Sequence, residues 1–554
     1  MDLKKIYPSH FLHNNGAFRH SKLVLPFFHS HSRAQEAYLQ QIQKGQSFCL
    51  KAFGHTLFLV MTEELRHSLQ VSNLLVTEEI TWTELVAILD CYARSRFVKK
   101  LILTLETTAT NEAWLLSQGF QKQGTGYEKE LVYHTGLVLG GGGARGAYQI
   151  GVWQALKELE ISVPIVTGTS VGALNGGLVL VGDVAGAKQL WLDLSTDQVL
   201  QFPQAAESIT SLATLLQQMR SLTMTALREN GASTEPLNQI IQNALDGEKM
   251  QASPSELYVC ATHLPDFEER VVHFDKKQPA ESQAWLIASA SFYPAMRAKE
   301  IKGEYYMDGG YRNNLPVDVA LRQGATECIL VDVKGPGFVK RWAPSLAVAE
   351  LPLHSPWTLG SFLVFDRERS RINYHLGYQE TMKYFGRYSG FWYTFVENDV
   401  FQDKWQRFCR TLRKEQSPLW TVIKESSFWQ KLEREYQGTV RFETAGQAFA
   451  ELAGVMLNVA PDAVYQEADF LLALKAAYEA MDTPVTGALS MAEWLHLYRE
   501  RFVLWSEGRQ FVYWLNSFQN ALVPTKSLLD LTPVTAVAGA FLAELLKELA
   551  TDNE

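Results

Sequence analysis

The sequence predicts an α/β chain whose middle third folds around a mostly parallel sheet, and three observations carry that reading. Residues 136 to about 333 alternate short apolar strands with helical segments, the order that a parallel sheet with crossover helices imposes. Two of the strand-to-helix turns in that stretch are rich in glycine. The flanking regions differ from it in pattern, and 554 residues leave room for about three or four domains. The expected division is 1–133, 136–333, 334–417 and 418–554.

Residues 1–133 open with His10, His13, His20, His29 and His31. Their irregular spacing lacks a ligand pattern and reads as a polar arm. A strand over Leu101–Leu105, a helix over Asn111–Gln118 and a strand near Tyr127–Val132 follow. The stretch NEAWLLSQGFQKQGTGYEKEL resembles the C-terminal end of a GNAT acetyltransferase domain. In that family the acetyl-CoA pyrophosphate rests on a glycine-rich loop at a helix N-terminus. Here the corresponding place, before the helix Thr83–Ala93, reads VTEEITWTEL, without glycine and with acidic residues that repel a pyrophosphate. A degenerate, non-catalytic accessory domain is expected.

The middle stretch opens on LVLGGGGARGAYQIGVWQAL. Leu137–Leu139 is a short apolar strand, Gly140–Gly143 expose backbone N–H groups, and Ala147–Leu159 continues as a helix with one apolar face. Such a turn is an anion site. A phosphate loop would need Gly-Lys-Ser/Thr, and Arg145-Gly-Ala stands there instead. A dinucleotide fold is matched literally by Gly141, Gly143 and Gly146, but the second strand, Pro164–Thr167, ends in Gly168-Thr-Ser with no carboxylate for a ribose. The third reading is an oxyanion hole.

Gly168-Thr-Ser170-Val-Gly172 selects that third reading, because GxSxG places a serine at a sharp strand-to-helix turn with its hydroxyl projecting from the sheet. His134, His263, His273, His354 and His375 have no context that marks a base. Asp308 in EYYMDGGYRNNLPVD is the better partner, with a strand-like Tyr305–Met307 before it and Gly309-Gly310 freeing the backbone after it.

Together, GGGGARG, GTSVG, ASASFYPAM and the Asp-Gly-Gly acid resemble the patatin-like phospholipase family over about 136–330. The resemblance implies a three-layer α/β/α fold, a Ser–Asp dyad and an acyl hydrolase acting on lipid esters. It makes Ser170 the nucleophile and Asp308 the acid, with Gly141, Gly142, Gly143 and Arg145 at the oxyanion loop. No metal or cofactor is called for, since the oxyanion hole does the polarising. The favoured expectation is a phospholipase A or lysophospholipase. A neutral-lipid or short-chain esterase, a non-catalytic lipid-binding scaffold and a bifunctional acetyltransferase–hydrolase are its rivals.

Beyond the middle stretch, Gly335-Pro-Gly, Pro344, Pro352 and Pro356 read as a linker and mixed extension. From about 418 the chain turns helical. Ser490–Glu493 is a capping box, followed by Trp494, Tyr498, Phe502 and Trp505, then Phe511, Tyr513 and Trp514, a stripe expected to be helix-bundle core.

Composition narrows the partners. Lys plus Arg number 51 against 60 Asp plus Glu, and a net charge of −9 argues against nucleic acid while leaving room for a local basic patch. Cys49, Cys91, Cys260, Cys328 and Cys409 are scattered without a CxxC pair, so a disulfide framework is not expected and a cytoplasmic location is. No signal peptide, lipidation site or spanning segment is expected; Val534–Leu546 is too short to span and contains Glu544. Peripheral, reversible membrane contact that salt barely affects is the expectation for reaching a lipid ester, with Val534–Leu546 and the aromatic stripe as the apolar candidates.

Overall fold

The structure, a computed structural model, describes residues 1–6, 15–24, 27–28, 30–105, 109–199, 235–293, 296–342, 346, 348–438, 440, 442–481, 507–520, 529–530 and 532–551. It forms two compact units, residues 1–354 with 359–371, and residues 355–358 with 372–554.

The first unit is built on two sheets. The sheet of its amino-terminal part runs, in spatial order, Asp2–Lys5, Ser47–Ala52, His55–Glu64, Ser68–Val76, Lys100–Thr104, Gly126–Glu130 and Gln121–Gln123, with Lys22–Leu23 beside Ser68–Val76. Only the pairing of Ser68–Val76 with Lys100–Thr104 is parallel among those described. Leu69, Val71, Leu74, Leu101 and Leu103 alternate into a core shared with the helix Trp82–Ser95. His20 is exposed and His31 opens the helix His31–Ile42, while His10, His13 and His29 lie outside the described residues.

The second sheet runs Lys299–Ile301, Glu304–Asp308, Glu256–Leu264, Ile165–Thr169, Thr135–Leu139, Glu327–Val331 and Ala349–Leu353. The last five are mutually parallel, and the first two join antiparallel at one edge. Thr135–Leu139, Ile165–Thr169 and Glu327–Val331 are buried along their whole length, as strands covered on both faces must be. The chain is thus α/β with a mostly parallel central sheet, as expected.

Parts of the stretch read as a linker and mixed extension, 334–417, belong to the first unit. Ala349–Leu353 completes the sheet, and residues 359–371 belong to the first unit. The misleading signal was Pro352, which pairs opposite Leu330. Proline lacks an N–H and is tolerated in a sheet at an edge, which is where this strand lies. The helix Trp82–Ser95 packs against that edge strand. Arg94 joins the two sheets, donating to the Val132 carbonyl at 2.7 Å and pairing at 3.5 Å with Glu327. Glu327 is fully buried and also accepts from Thr135 and Thr326, each at 2.7 Å.

The second unit is largely helical. Its core gathers Trp405, Phe449, Phe470, Trp514 and Phe541 from the helices Gln402–Lys414, Ala445–Met456, Glu467–Glu479, Glu507–Gln519 and Pro533–Thr551. Phe511 and Trp514 are buried there, as core residues should be, and most of Val534–Leu546 is buried as well. Ser490 and Trp494–Trp505 lie outside the described residues. A buried carboxylate, Glu451, accepts the amides of Phe391, Trp392 and Tyr393 and the Tyr436 hydroxyl. Among the described residues no helix is long and apolar enough to cross a membrane.

Candidate active site

Ser170 stands between the strand Ile165–Thr169 and the helix Val171–Val181, at φ 55° and ψ −126°. A serine in this left-handed region is strained, and the strain turns its hydroxyl off the end of the sheet. The turn is tight enough to require glycine on both sides. A Cβ on Gly168 would sit 2.4 Å from the Gly172 carbonyl, and one on Gly172 would sit 2.1 Å from that of Leu139. The Ser170 amide donates to the Ser289 hydroxyl at 2.9 Å, which in turn donates to the Cys260 carbonyl at 2.5 Å.

Asp308 ends the strand Glu304–Asp308. Sheet register brings it to the serine, because Thr169 lies opposite Cys260, and Ala261, the next residue on that strand, lies opposite Asp308. Its backbone is clamped by the Ser291 carbonyl and the Thr262 hydroxyl, each at 2.9 Å. The carboxylate accepts the Gly310 amide at 2.7 Å, and the Ser170 hydroxyl lies close enough to favour its charged form. Burial pushes its pKa up to about 6, against the lowering effect of the Ser170 hydroxyl and the Gly310 amide. Gly309 fits against the Cys260 carbonyl, which a Cβ would approach to 2.2 Å.

The glycine loop separates into parts that were indistinguishable as sequence. The Gly141 amide donates to the Asn314 carbonyl at 3.0 Å, so it is spent. Gly142 and Gly143 line the cavity with Ser170, and their amides take no acceptor among the described residues. Gly143 has φ +54°, and a Cβ there would come within 2.0 Å of the Phe362 carbonyl, to which the Ala144 amide donates at 2.8 Å.

Arg145 also departs from expectation. Its guanidinium donates to the carbonyls of Gly360 (2.8 Å), Val333 (3.2 Å) and Lys334 (2.5 Å), and it does not line the cavity. It ties the loop to neighbouring chain rather than facing a substrate. Of the four residues expected at the oxyanion loop, Gly142 and Gly143 line the cavity with amides that no described residue accepts.

The cavity, counted with its open mouth, holds about 920 Å³ of space. Its wall is apolar, with Leu174, Leu178, Trp191, Ile240, Phe292 and Phe362 prominent. Among the described residues that line it, Asp308 is the charged side chain and there is no histidine. His263 is engaged elsewhere, with Asp266 at 2.8 Å and Glu304 at 3.2 Å. Among the described residues no three His, Cys, Asp or Glu side chains gather as a metal site.

Two parts of the site escaped sequence reasoning. Asn314 lines the cavity and holds the carbonyls of Gly141 and Gly335 at 3.3 and 3.4 Å. Behind the loop, Asn175 links the Gly146 carbonyl, Gln149 and the Trp191 indole, while Gln149 holds the Gly140 carbonyl at 2.7 Å. The available signal was a polar amide inside an apolar helix, which needs a buried partner.

A hydroxyl beside a buried carboxylate, unfilled amides nearby and an apolar chamber are the parts of nucleophilic acyl transfer. Residues 137–321 match the family model described as patatin-like phospholipase. Over 198 residues the chain is 33% identical to patatin-like phospholipase domain-containing protein 7 of Rattus norvegicus, covering 36% of this chain and 13% of that one. It is 30% identical over 201 residues to lysophospholipase NTE1 of Saccharomyces cerevisiae, covering 36% and 11%. The chain thus spans roughly an eighth of the length of these curated relatives. VipD from Legionella pneumophila, a solved structure, aligns over 77% of this chain and 93% of its own at 13% identity, but a TM-score of 0.27 carries no argument.

Proposed function

We propose that the patatin-like domain is a serine acyl hydrolase that cleaves carboxylic esters of lipids, of the phospholipase A or lysophospholipase type. The carrying observation is that Ser170, on its strained turn, and the buried Asp308 line the same apolar cavity. Ser170 Oγ attacks the ester carbonyl carbon as Asp308 takes its proton. The oxygen that becomes negative receives the amides of Gly142 and Gly143. Asp308 then protonates the departing alcohol, leaving an acyl-serine. Water attacks that ester in turn, giving its proton to Asp308, and the acid leaves as Ser170 regains its hydrogen.

A pKa of about 6 suits this duty better than an ordinary aspartate, since a base works best when its pKa lies near the operating pH. Each oxyanion donor is worth about 3–4 kcal/mol in such sites. The names of the relatives support the lipid-ester class.

The lining favours one rival. With Arg145 turned away, no cation stands among the described residues of the wall, which suits a neutral-lipid or short-chain ester equally well. The amino-terminal domain is read as a non-catalytic accessory, and the protein as cytoplasmic with peripheral, reversible membrane contact. The experiment is labelling with a fluorophosphonate, with the adduct located by mass spectrometry, beside turnover of phospholipids, lysophospholipids, triacylglycerols and p-nitrophenyl esters. An adduct on Ser170 and turnover in that panel are expected. A folded protein that takes no label and hydrolyses nothing is a scaffold instead.

A further inference from the structure

We propose that the mouth of the Ser170 cavity is a docking surface for an anionic bilayer, with Phe338 and Val339 entering the lipid. This rests on the reading of the site as a lipid-ester hydrolase and names the surface through which it meets its substrate.

Three pieces of chain form this rim: the turn after the helix Pro279–Ala290, the turn after Asp308, and the loop after the strand Glu327–Val331. Each also contributes to the cavity wall, through Phe292 and Met296, Asn314, and Pro336 respectively. They are fastened together. The Phe338 amide donates to the Gly310 carbonyl and the Asn314 amide to the Phe338 carbonyl, both at 2.7 Å. The Tyr311 ring stacks on Phe292 at 6.0 Å, and its hydroxyl donates to the Tyr293 carbonyl.

On this fixed rim large apolar side chains face water. Phe338 is 59% exposed and Val339 43%, with Tyr293 and Tyr311 at 38% each. A grouped apolar patch on a soluble surface marks an interaction site, and aromatic side chains favour the bilayer interface.

Charge selects the partner. Residues 291–297, 309–316 and 333–342 contain no Asp or Glu, yet hold Arg297, Arg312, Lys334, Lys340 and Arg341 in a chain whose net charge is −9. Lys340 is held by Glu269 at 3.0 Å and Asp318 at 2.8 Å; Arg297, Arg312, Lys334 and Arg341 are exposed. An apolar tip between cations, continuous with an apolar cavity, complements an anionic lipid surface. The surface replaces Val534–Leu546 as the membrane candidate, since that stretch is mostly buried in the core of the second unit. It also reverses the salt expectation: contact through this rim weakens as salt rises.

The test uses the full chain with Ser170→Ala, which cannot turn lipid over, sedimented with vesicles of phosphatidylcholine alone or mixed with phosphatidylserine. Binding is expected to favour the mixed vesicles and to fall with added salt. Phe338→Ser with Val339→Ser should lower the partition about tenfold, and Lys334→Glu with Arg341→Glu should erase the preference for phosphatidylserine. With Ser170 restored, both pairs should hydrolyse a water-soluble p-nitrophenyl ester within about twofold of the parent, because neither alters the wall. Failure of the parent to bind vesicles, unchanged sedimentation of both pairs, or loss of a self-associated form instead of vesicle binding overturns the proposal. If no ester is hydrolysed while the pairs still lose vesicle binding, the docking surface stands and the hydrolase reading falls.

Discussion

Both sheets of the first unit send a strand through a short turn into a helix, and the two helix N-termini are put to opposite uses. In the patatin-like domain the turn is Gly140–Gly146, where Gly142 and Gly143 line the cavity with amides that no described residue accepts. In the amino-terminal sheet, Ser68–Val76 leads into the helix Trp82–Ser95, and the turn closes on itself. The Thr81 hydroxyl accepts the Glu84 amide at 3.2 Å, while the Glu84 carboxylate accepts the Thr81 amide at 3.0 Å. Those bonds to Thr81 hold the Glu84 carboxyl below its ordinary pKa. A carboxylate of the chain's own already occupies this helix N-terminus. A helix N-terminus is thus an anion site only where its own sequence leaves the amides unfilled.

The largest expected effects test the open end of this comparison. Ser170→Ala and Asp308→Asn should each lower ester hydrolysis at least about 10³–10⁴-fold while the protein stays folded, as losses of triad members do elsewhere. If Asp308→Asn were mild and a histidine such as His263 essential, a different base would be at work.

Asp308 also predicts pH behaviour. Hydrolysis needs the carboxylate, so kcat/KM should rise with pH through about 6. Stability should move the other way. The folded-state pKa exceeds the unfolded one, so the native state holds the extra proton between about pH 4 and 6; stability falls as pH rises through that window and stays lower above it, by about 3 kcal/mol. Asp308→Asn, which keeps an acceptor but not the charge, should therefore melt above the parent at about pH 8 and lose that advantage near pH 4. A lower melting point for Asp308→Asn at both pH values would show that the carboxylate holds the site together rather than straining it.

The closed end should respond weakly. Thr81→Ala removes the cap and should cost about 1 kcal/mol in chemical denaturation, leaving hydrolysis unchanged. Acetyl-CoA should show no saturable heat with the full chain in calorimetry; micromolar binding would mean that the Thr81–Glu84 box opens to a ligand.

Ser170 and Asp308 could be singled out from sequence because the turns that present them are local. A serine between Gly168 and Gly172, and an aspartate before Gly309 and Gly310, announce close-fitting backbone within a few residues. The alternating strands and helices of 136–333 were readable for the same reason, since period and turn chemistry act over short stretches. The Ala349–Leu353 strand was not readable, because Pro352 speaks against a strand unless its place at the sheet edge is known.

By itself the sequence determined the residue types at the turn and the acid, the glycines that let the backbone close there, and the acidic seal at Thr81–Glu84. Tertiary structure alone decided which of four neighbouring candidates faces the cavity. Gly141 differs from Gly142 through the carbonyl of Asn314, 173 residues away, and Arg145 is drawn off by carbonyls at Val333, Lys334 and Gly360. The basic, apolar rim exists only because Gly310 and Phe338 bond across 28 residues. Hydrogen bonding and burial depend on distance in space, and sequence spacing reports that distance only within a turn or an element.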